Sequence, residues 1–200
     1  MAISLIKGQK ISLDKESGGG LTRIFMGLGW DVAQSPKKGL LGGIFGGGGS
    51  GGGSIDLDAS CVMFDDSGQK LDVVWFRQLK SRDGSVVHSG DNLTGEGEGD
   101  DEVINIDLTR VPAGVKSLVF TVNSFRGQDF STVANAVCRV VNAANGQEIA
   151  RYNLSASGPH TGMIMAKLYR HNQEWKLHAI GEPGQGRTFD AMMPQIQGVL

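Results

Sequence analysis

Cysteine is scarce in this 200-residue sequence: Cys61 and Cys138 are the only two, and they form no C-x-x-C pair. That is too few for a disulfide framework and has the wrong spacing for a thiol redox motif. No apolar stretch reaches the ~18 residues of a membrane-spanning helix. Met1–Lys7 lacks a basic segment followed by a long apolar run, so no secretory signal is expected there. Net charge is also small, at −2, which leaves no global electrostatic footprint for nucleic acid. Together these absences predict a cytoplasmic protein with reduced thiols that does not bind nucleic acid.

Low complexity is excluded as well. The 31 glycines and five prolines stay below the ~25–30% share that marks such chains. A hydrophobic content of 40% is enough to build a core. The length suits one domain covering residues 1–200.

The glycines are unevenly placed. Ten of them fall between Gly39 and Ser54, and Gly46 to Ser54 reads as a flexible Gly/Ser coil. The segment before it is too short for a core of its own, so 39–54 reads as a long insertion loop within the domain. It carries one apolar island, Leu40, Leu41, Ile44 and Phe45.

Elsewhere the dominant signal is period-2 alternation. Ile24, Met26, Leu28 and Trp30 share one face, as do Ile55, Leu57, Ala59, Cys61 and Met63, and as do Ile104, Ile106 and Leu108. Further strands are predicted over 71–76, 117–123, 136–141, 148–154, 163–169 and 175–180. Asn145-Gly146 predicts a tight primed hairpin turn, and His171-Asn172 a second short connection. Helical signal is confined to 129–134 and to 189–196, the latter interrupted by Pro194. Many short strands with few helices predict an all-β fold, a two-sheet β-sandwich.

The strongest chemical signal is the segment from Asp91 to Glu102, with six carboxylates and no basic residue in twelve positions. The rest of the chain has 15 acids against 19 bases, so the acidity is local. Gly95, Gly97 and Gly99 alternate with the acids and let the backbone turn its carbonyls inward. Such oxygens suit a hard divalent cation, and Ca²⁺ takes ~6–8 of them. Asp56 and Asp58, two apart on a predicted strand, put two more carboxylates ~6.6 Å apart on one face. Asp31 adds another at a strand end. Like charges held together in this way are best tolerated around a cation.

Other chemistries do not fit. An EF-hand loop starting at Asp91 would need Asp or Asn where Leu93 and Gly95 stand, and it has no flanking helices. The glycine run is not followed by Gly-Lys-Ser/Thr, so it is no phosphate-binding loop. His88, His160, His171 and His178 lack zinc-ligand spacing and read as packing or surface residues. Cys61 and Cys138 lie in apolar strands and read as core. No nucleophile motif is present.

Several segments carry a resemblance. Gly27-Leu-Gly-Trp-Asp31, Asp56-Leu-Asp-Ala-Ser60, the block from Gly90 to Glu102, and Asp107-Leu-Thr-Arg-Val111 resemble the TerD family of bacterial tellurium-resistance and stress proteins. Asn145-Gly-Gln-Glu-Ile-Ala-Arg-Tyr152 and Leu168-Tyr-Arg-His171 with Glu174-Trp175 extend the likeness, in the family's order. The insertion at 39–54 is similar to the TerZ-like branch.

The resemblance implies a calcium-binding β-sandwich of a tellurite-resistance and stress-response system, a non-catalytic interaction module and not an enzyme. Its implied partners are other proteins of that system. Its implied metal ligands are Asp56, Asp58, Asp91, Asn92, Glu96, Glu98, Asp100, Asp101 and Glu102, enough for two neighbouring Ca²⁺ ions, with Asp31 behind them. Two alternatives stay open. One is a calcium-dependent membrane-binding module, with peripheral contact through Leu40, Leu41, Ile44 and Phe45. The other is a metal-dependent hydrolase or phosphotransferase, for which no nucleophile or general base is apparent.

Overall fold

A computed structural model describes residues 2–32, 56–90, 100–154, 156–172 and 174–200. Within them the chain runs through β1 (Ile3–Leu5), β2 (Lys10–Ser12), a short helix α1 (Leu13–Glu16), β3 (Arg23–Val32), β4 (Leu57–Phe64), β5 (Lys70–Val74) and β6 (Val86–His88). It continues through β7 (Glu102–Asp107), β8 (Ser117–Ser124), β9 (Val133–Asn142), β10 (Glu148–Leu154), β11 (Gly162–His171), β12 (Glu174–Gly184) and a terminal helix α2 (Met193–Gly198). One sheet has the order β1-β10-β9-β3-β7-β6 and the other β2-β12-β11-β8-β4-β5. The expected all-β sandwich is the fold.

The alternating residues explain the packing. Ile24, Met26, Leu28, Ile104 and Ile106 of the first sheet meet Ala59, Cys61, Met63, Leu118 and Phe120 of the second in one buried cluster. Cys61 and Cys138 both lie in that core as free thiols. The second sheet is buried on its outer side too. Val62, Phe64, Val119, Ile164 and Ile180 are covered there by Phe189, Met192 and Ile196. Among the described residues no helix is long and apolar enough to cross a membrane.

Two local expectations need correction, and that of a helical turn within 129–134 is met. The connection from β9 to β10 is not a primed two-residue turn. Gly146 is left-handed at φ +72° but Asn145 is not, and Gly146 N–H bonds to the Asn142 carbonyl at 2.9 Å, closing a wider turn. The 129–134 segment makes a single 3₁₀ turn (Phe130–Thr132), started by the Asp129 side chain, and then enters β9. Pro194 does not interrupt the terminal helix. It sits in the first turn of α2, where its missing N–H costs no hydrogen bond.

The insertion at 39–54, with Leu40, Leu41, Ile44 and Phe45, lies outside the described residues.

Candidate metal centre

Acidic residues gather where strands of both sheets begin or end. Glu102 opens β7 and is paired with Leu28 of β3, while the Asp101 N–H bonds to the Leu28 carbonyl at 2.8 Å. In return, the Asp101 carboxylate accepts the Trp30 N–H at 2.7 Å. Asp101 is therefore fixed by the backbone of β3 on both sides. Its carboxyl is pushed above the ordinary range chiefly by burial, with the nearby charges of Asp31 and Asp100 adding to the effect and the Trp30 bond opposing it. Asp31 thus belongs to the same electrostatic neighbourhood, although its side chain also accepts a bond from Asn135 Nδ2 at 2.8 Å.

Glu102 links the two sheets. Its side chain, 1% exposed, accepts the N–H of Ala59 on β4. The pairing of β5 with β4 starts only at Cys61, so the Glu102 carboxylate takes a place at the edge of β4 that β5 does not reach. His88, at the end of β6, lies beside it with Nε2 at 3.3 Å, and neither side chain is exposed. His88 Nδ1 accepts the Gly90 N–H at 3.1 Å. A neutral ring so bonded carries its proton on Nε2, toward Glu102.

Asp56 immediately precedes β4 and Asp58 is its second residue; they are 7% and 6% exposed. Asp58 stands opposite Asn123 of β8. Asp56 Oδ2 pairs with Arg126 Nε at 3.1 Å, whereas its Oδ1 is buried with no hydrogen bond among the described residues. A carboxylate oxygen hidden from water in this way is costly unless something positive meets it.

Asp100 is placed differently. Arg139 of β9 grips both its oxygens, Nε to Oδ1 at 2.7 Å and Nη2 to Oδ2 at 2.8 Å. A bidentate guanidinium already supplies the charge that a metal would bring.

Of the nine ligand candidates, Asp101 and Glu102 are held at the start of β7 against β3, and Glu102 reaches β4 at Ala59, the residue that follows Asp58 and stands three after Asp56. Asp100 directly precedes Asp101 but is held by arginine. Asp91, Asn92, Glu96 and Glu98 lie outside the described residues. Among the described residues alone, no three His, Cys, Asp or Glu side chains are grouped so as to hold an ion.

Sequence reasoning did not single out His88, Arg126 or Arg139. His88 stands two residues before Gly90 and so adjoins the acidic block in sequence. The two arginines carry no such signal, since their partners are far along the chain.

The model of the TerD domain matches residues 1–195. The chain is 55% identical over 194 residues to tellurium resistance protein TerZ of Serratia marcescens, covering 97% of this chain and 96% of that one. It is 46% identical over 189 residues to stress response protein SCP2 of Bacillus subtilis, covering 91% and 92%. Among solved structures, a homologue of telluride resistance protein (TerD) from Streptomyces coelicolor superposes with a TM-score of 0.65 at 18% identity. That superposition spans 87% of this chain and 98% of that one, a likeness of fold alone.

Proposed function

The chain belongs to the TerD family, and from that premise we propose that it is a calcium-binding, non-catalytic interaction module of a bacterial tellurium-resistance and stress-response system. The observation that carries the reading is the buried Asp56 Oδ1, without a hydrogen bond among the described residues, three residues before the Ala59 that Glu102 reaches, with Asp58 and Asp101 adjoining those two in the chain. A hard cation with oxygen ligands fits that donor set. Asp56, Asp58, Asp101 and Glu102 would hold it together with Asp91, Asn92, Glu96 and Glu98, and the number of oxygens suits two ions. Asp100, committed to Arg139, would steer from outside.

Bound calcium supplies positive charge that offsets the repulsion among these carboxylates. The chain's own part is positional. Trp30 N–H orients Asp101, Ala59 N–H orients Glu102, and Arg139 keeps Asp100 turned away. His88 is enclosed between Glu102 and Gly90, which supports a packing role over that of a general base. The calcium-bound acidic end would then present a surface to other proteins of the same system, in the cytoplasm.

Calorimetric titration of the full chain with Ca²⁺ tests this. Binding heat and a raised melting temperature are expected, with a gain of about 2.7 kcal/mol at 100-fold excess over Kd. Asp58→Asn should weaken binding while leaving the metal-free fold intact. If Ca²⁺ gives neither heat nor thermal stabilisation, the reading fails.

A further inference from the structure

At the opposite margin of the second sheet, two lysines and a histidine line up across adjacent strands. Lys10 of β2 is directly opposite His178 of β12, and His178 is directly opposite Lys167 of β11. Side chains in direct cross-strand register sit ~4.5–5.5 Å apart at Cβ, where like charges destabilise the sheet. A pocket of about 310 Å³ opens over this row, also lined by Lys7, Glu182 and residues 198–200.

The row is built into the sheet and is not a scatter of surface lysines. Lys167 is only 7% exposed, with its ammonium donating to the Val199 carbonyl and resting 5.2 Å from the Tyr169 ring centre. That single bond leaves two of its three donors for other partners. His178 Nδ1 is buried with no hydrogen-bond partner among the described residues. None of Lys7, Lys10 and Lys167 has a carboxylate within ion-pair distance among the described residues. Burial first, and the neighbouring lysines second, hold both Lys167 and His178 below their ordinary pKa ranges, while Glu182 acts in the other direction on His178. The fold has therefore gathered three lysines and a histidine around an open space in which Glu182 is the one carboxylate side chain.

We propose that the pocket over Lys10, His178 and Lys167 binds a small, doubly charged oxyanion of the phosphate or sulfate type. Such an ion accepts several charge-assisted hydrogen bonds at once and removes the repulsion along the row. This site is separate from the acidic end of the sandwich and does not depend on calcium.

The test is titration of the full chain with inorganic phosphate, and in a second arm with sulfate, at ionic strength held constant with sodium chloride. Binding is followed by calorimetry and by the imidazole NMR signals of His178. Saturable binding at millimolar or lower concentration is expected, with the His178 signals moving along the same isotherm. Lys10→Gln, at an exposed position, should weaken binding about tenfold, in line with loss of one hydrogen bond to a charged partner. Glu182→Gln, also exposed, should tighten it several-fold by removing the one carboxylate side chain that lines the pocket. Saturation by only one of the two anions assigns the site to that anion. The proposal is overturned if both act no differently from added chloride, if Lys10→Gln binds as well as the parent, or if Glu182→Gln binds more weakly.

Discussion

Asp100 reaches Arg139 by crossing directly over Gly27. Gly27 of β3 is the cross-strand partner of Arg139, and the carboxylate occupies the space where a side chain at 27 would stand. A Cβ there would lie 2.2 Å from Asp100 Oδ2. The glycine is needed for close approach and not for an unusual backbone angle. Gly27→Ala should displace Asp100, break the bidentate pair and cost about 1–3 kcal/mol. For a chain of this size that lowers the melting temperature by roughly 3–10 °C. Arg139→Ala added to Gly27→Ala should then cost clearly less than Arg139→Ala alone, because the pair is already lost. Additive losses in that double-mutant cycle would rule the arrangement out.

The same arginine continues the network. Arg139 Nη1 meets Glu148 Oε2 at 3.1 Å, and Arg151 meets both Glu148 oxygens at 2.8 Å. Arg151 first, and Arg139 with it, hold the Glu148 carboxyl below the ordinary range against the opposing effect of burial. A depressed folded-state value means that the ionised form stabilises the fold above the unfolded carboxyl's pKa of ~4.3, and that this stabilisation fades as pH falls through the folded value. Glu148→Gln should therefore be less stable than the parent at pH 6–7. The gap should narrow steadily below about pH 4. Thermal unfolding of both proteins from pH 3 to 7 measures it, and a gap that does not change with pH would contradict the assignment.

Ile24, Met26 and Leu28 alternate cleanly, and their strand is legible because one face is core and the other is not. On β4 the same reading captures only half of the arrangement. Asp58 and Ser60 are followed on the outer face by Val62 and Phe64, which are buried because a distant segment, 189–196, folds back over them. Nothing near residue 62 announces that cover. The strands β1, β2 and β6 have three residues each, fewer than two periods of alternation, and their existence depends on partners supplied by β10, β12 and β7. The acidic centre was legible as composition, since Asp56, Asp58 and 100–102 are concentrated acids. What composition could not disclose is allocation. Whether Asp100 faces a cation or an arginine depends on register between β3 and β9, a tertiary fact.

Burial governs the two thiols. It pushes Cys61 far up, with Asp72 adding to the effect, and pushes Cys138 up to about 12, with Asp100 adding. Only the thiolate is an effective nucleophile, so neither group is reactive near neutral pH in the folded chain. A disulfide reagent such as DTNB should release little colour from the native protein at pH 8 and should titrate both thiols after unfolding in guanidinium. Rapid reaction of either thiol in native buffer would show that the core opens far more readily than its packing implies.

Ile196 is fully buried and sits with Phe189 and Met192 against Val62, Phe64, Val119, Ile164 and Ile180. An isolated helix as short as α2 is not stable in water, so its place depends on this apolar contact. The contact in turn keeps the outer face of the second sheet dry. Ile196→Ala removes buried methylene and methyl groups and leaves a cavity that the rigid strands beneath cannot close, at a cost of about 2–5 kcal/mol. If α2 is part of the same cooperative unit as the sandwich, the urea midpoint should fall while the slope of the transition stays the same. If instead α2 frays independently, the variant should keep the parent's midpoint and show increased hydrogen exchange at 193–198 alone. The full burial of Ile196 favours the first outcome, since a cluster spanning four strands and the terminal segment does not come apart in pieces.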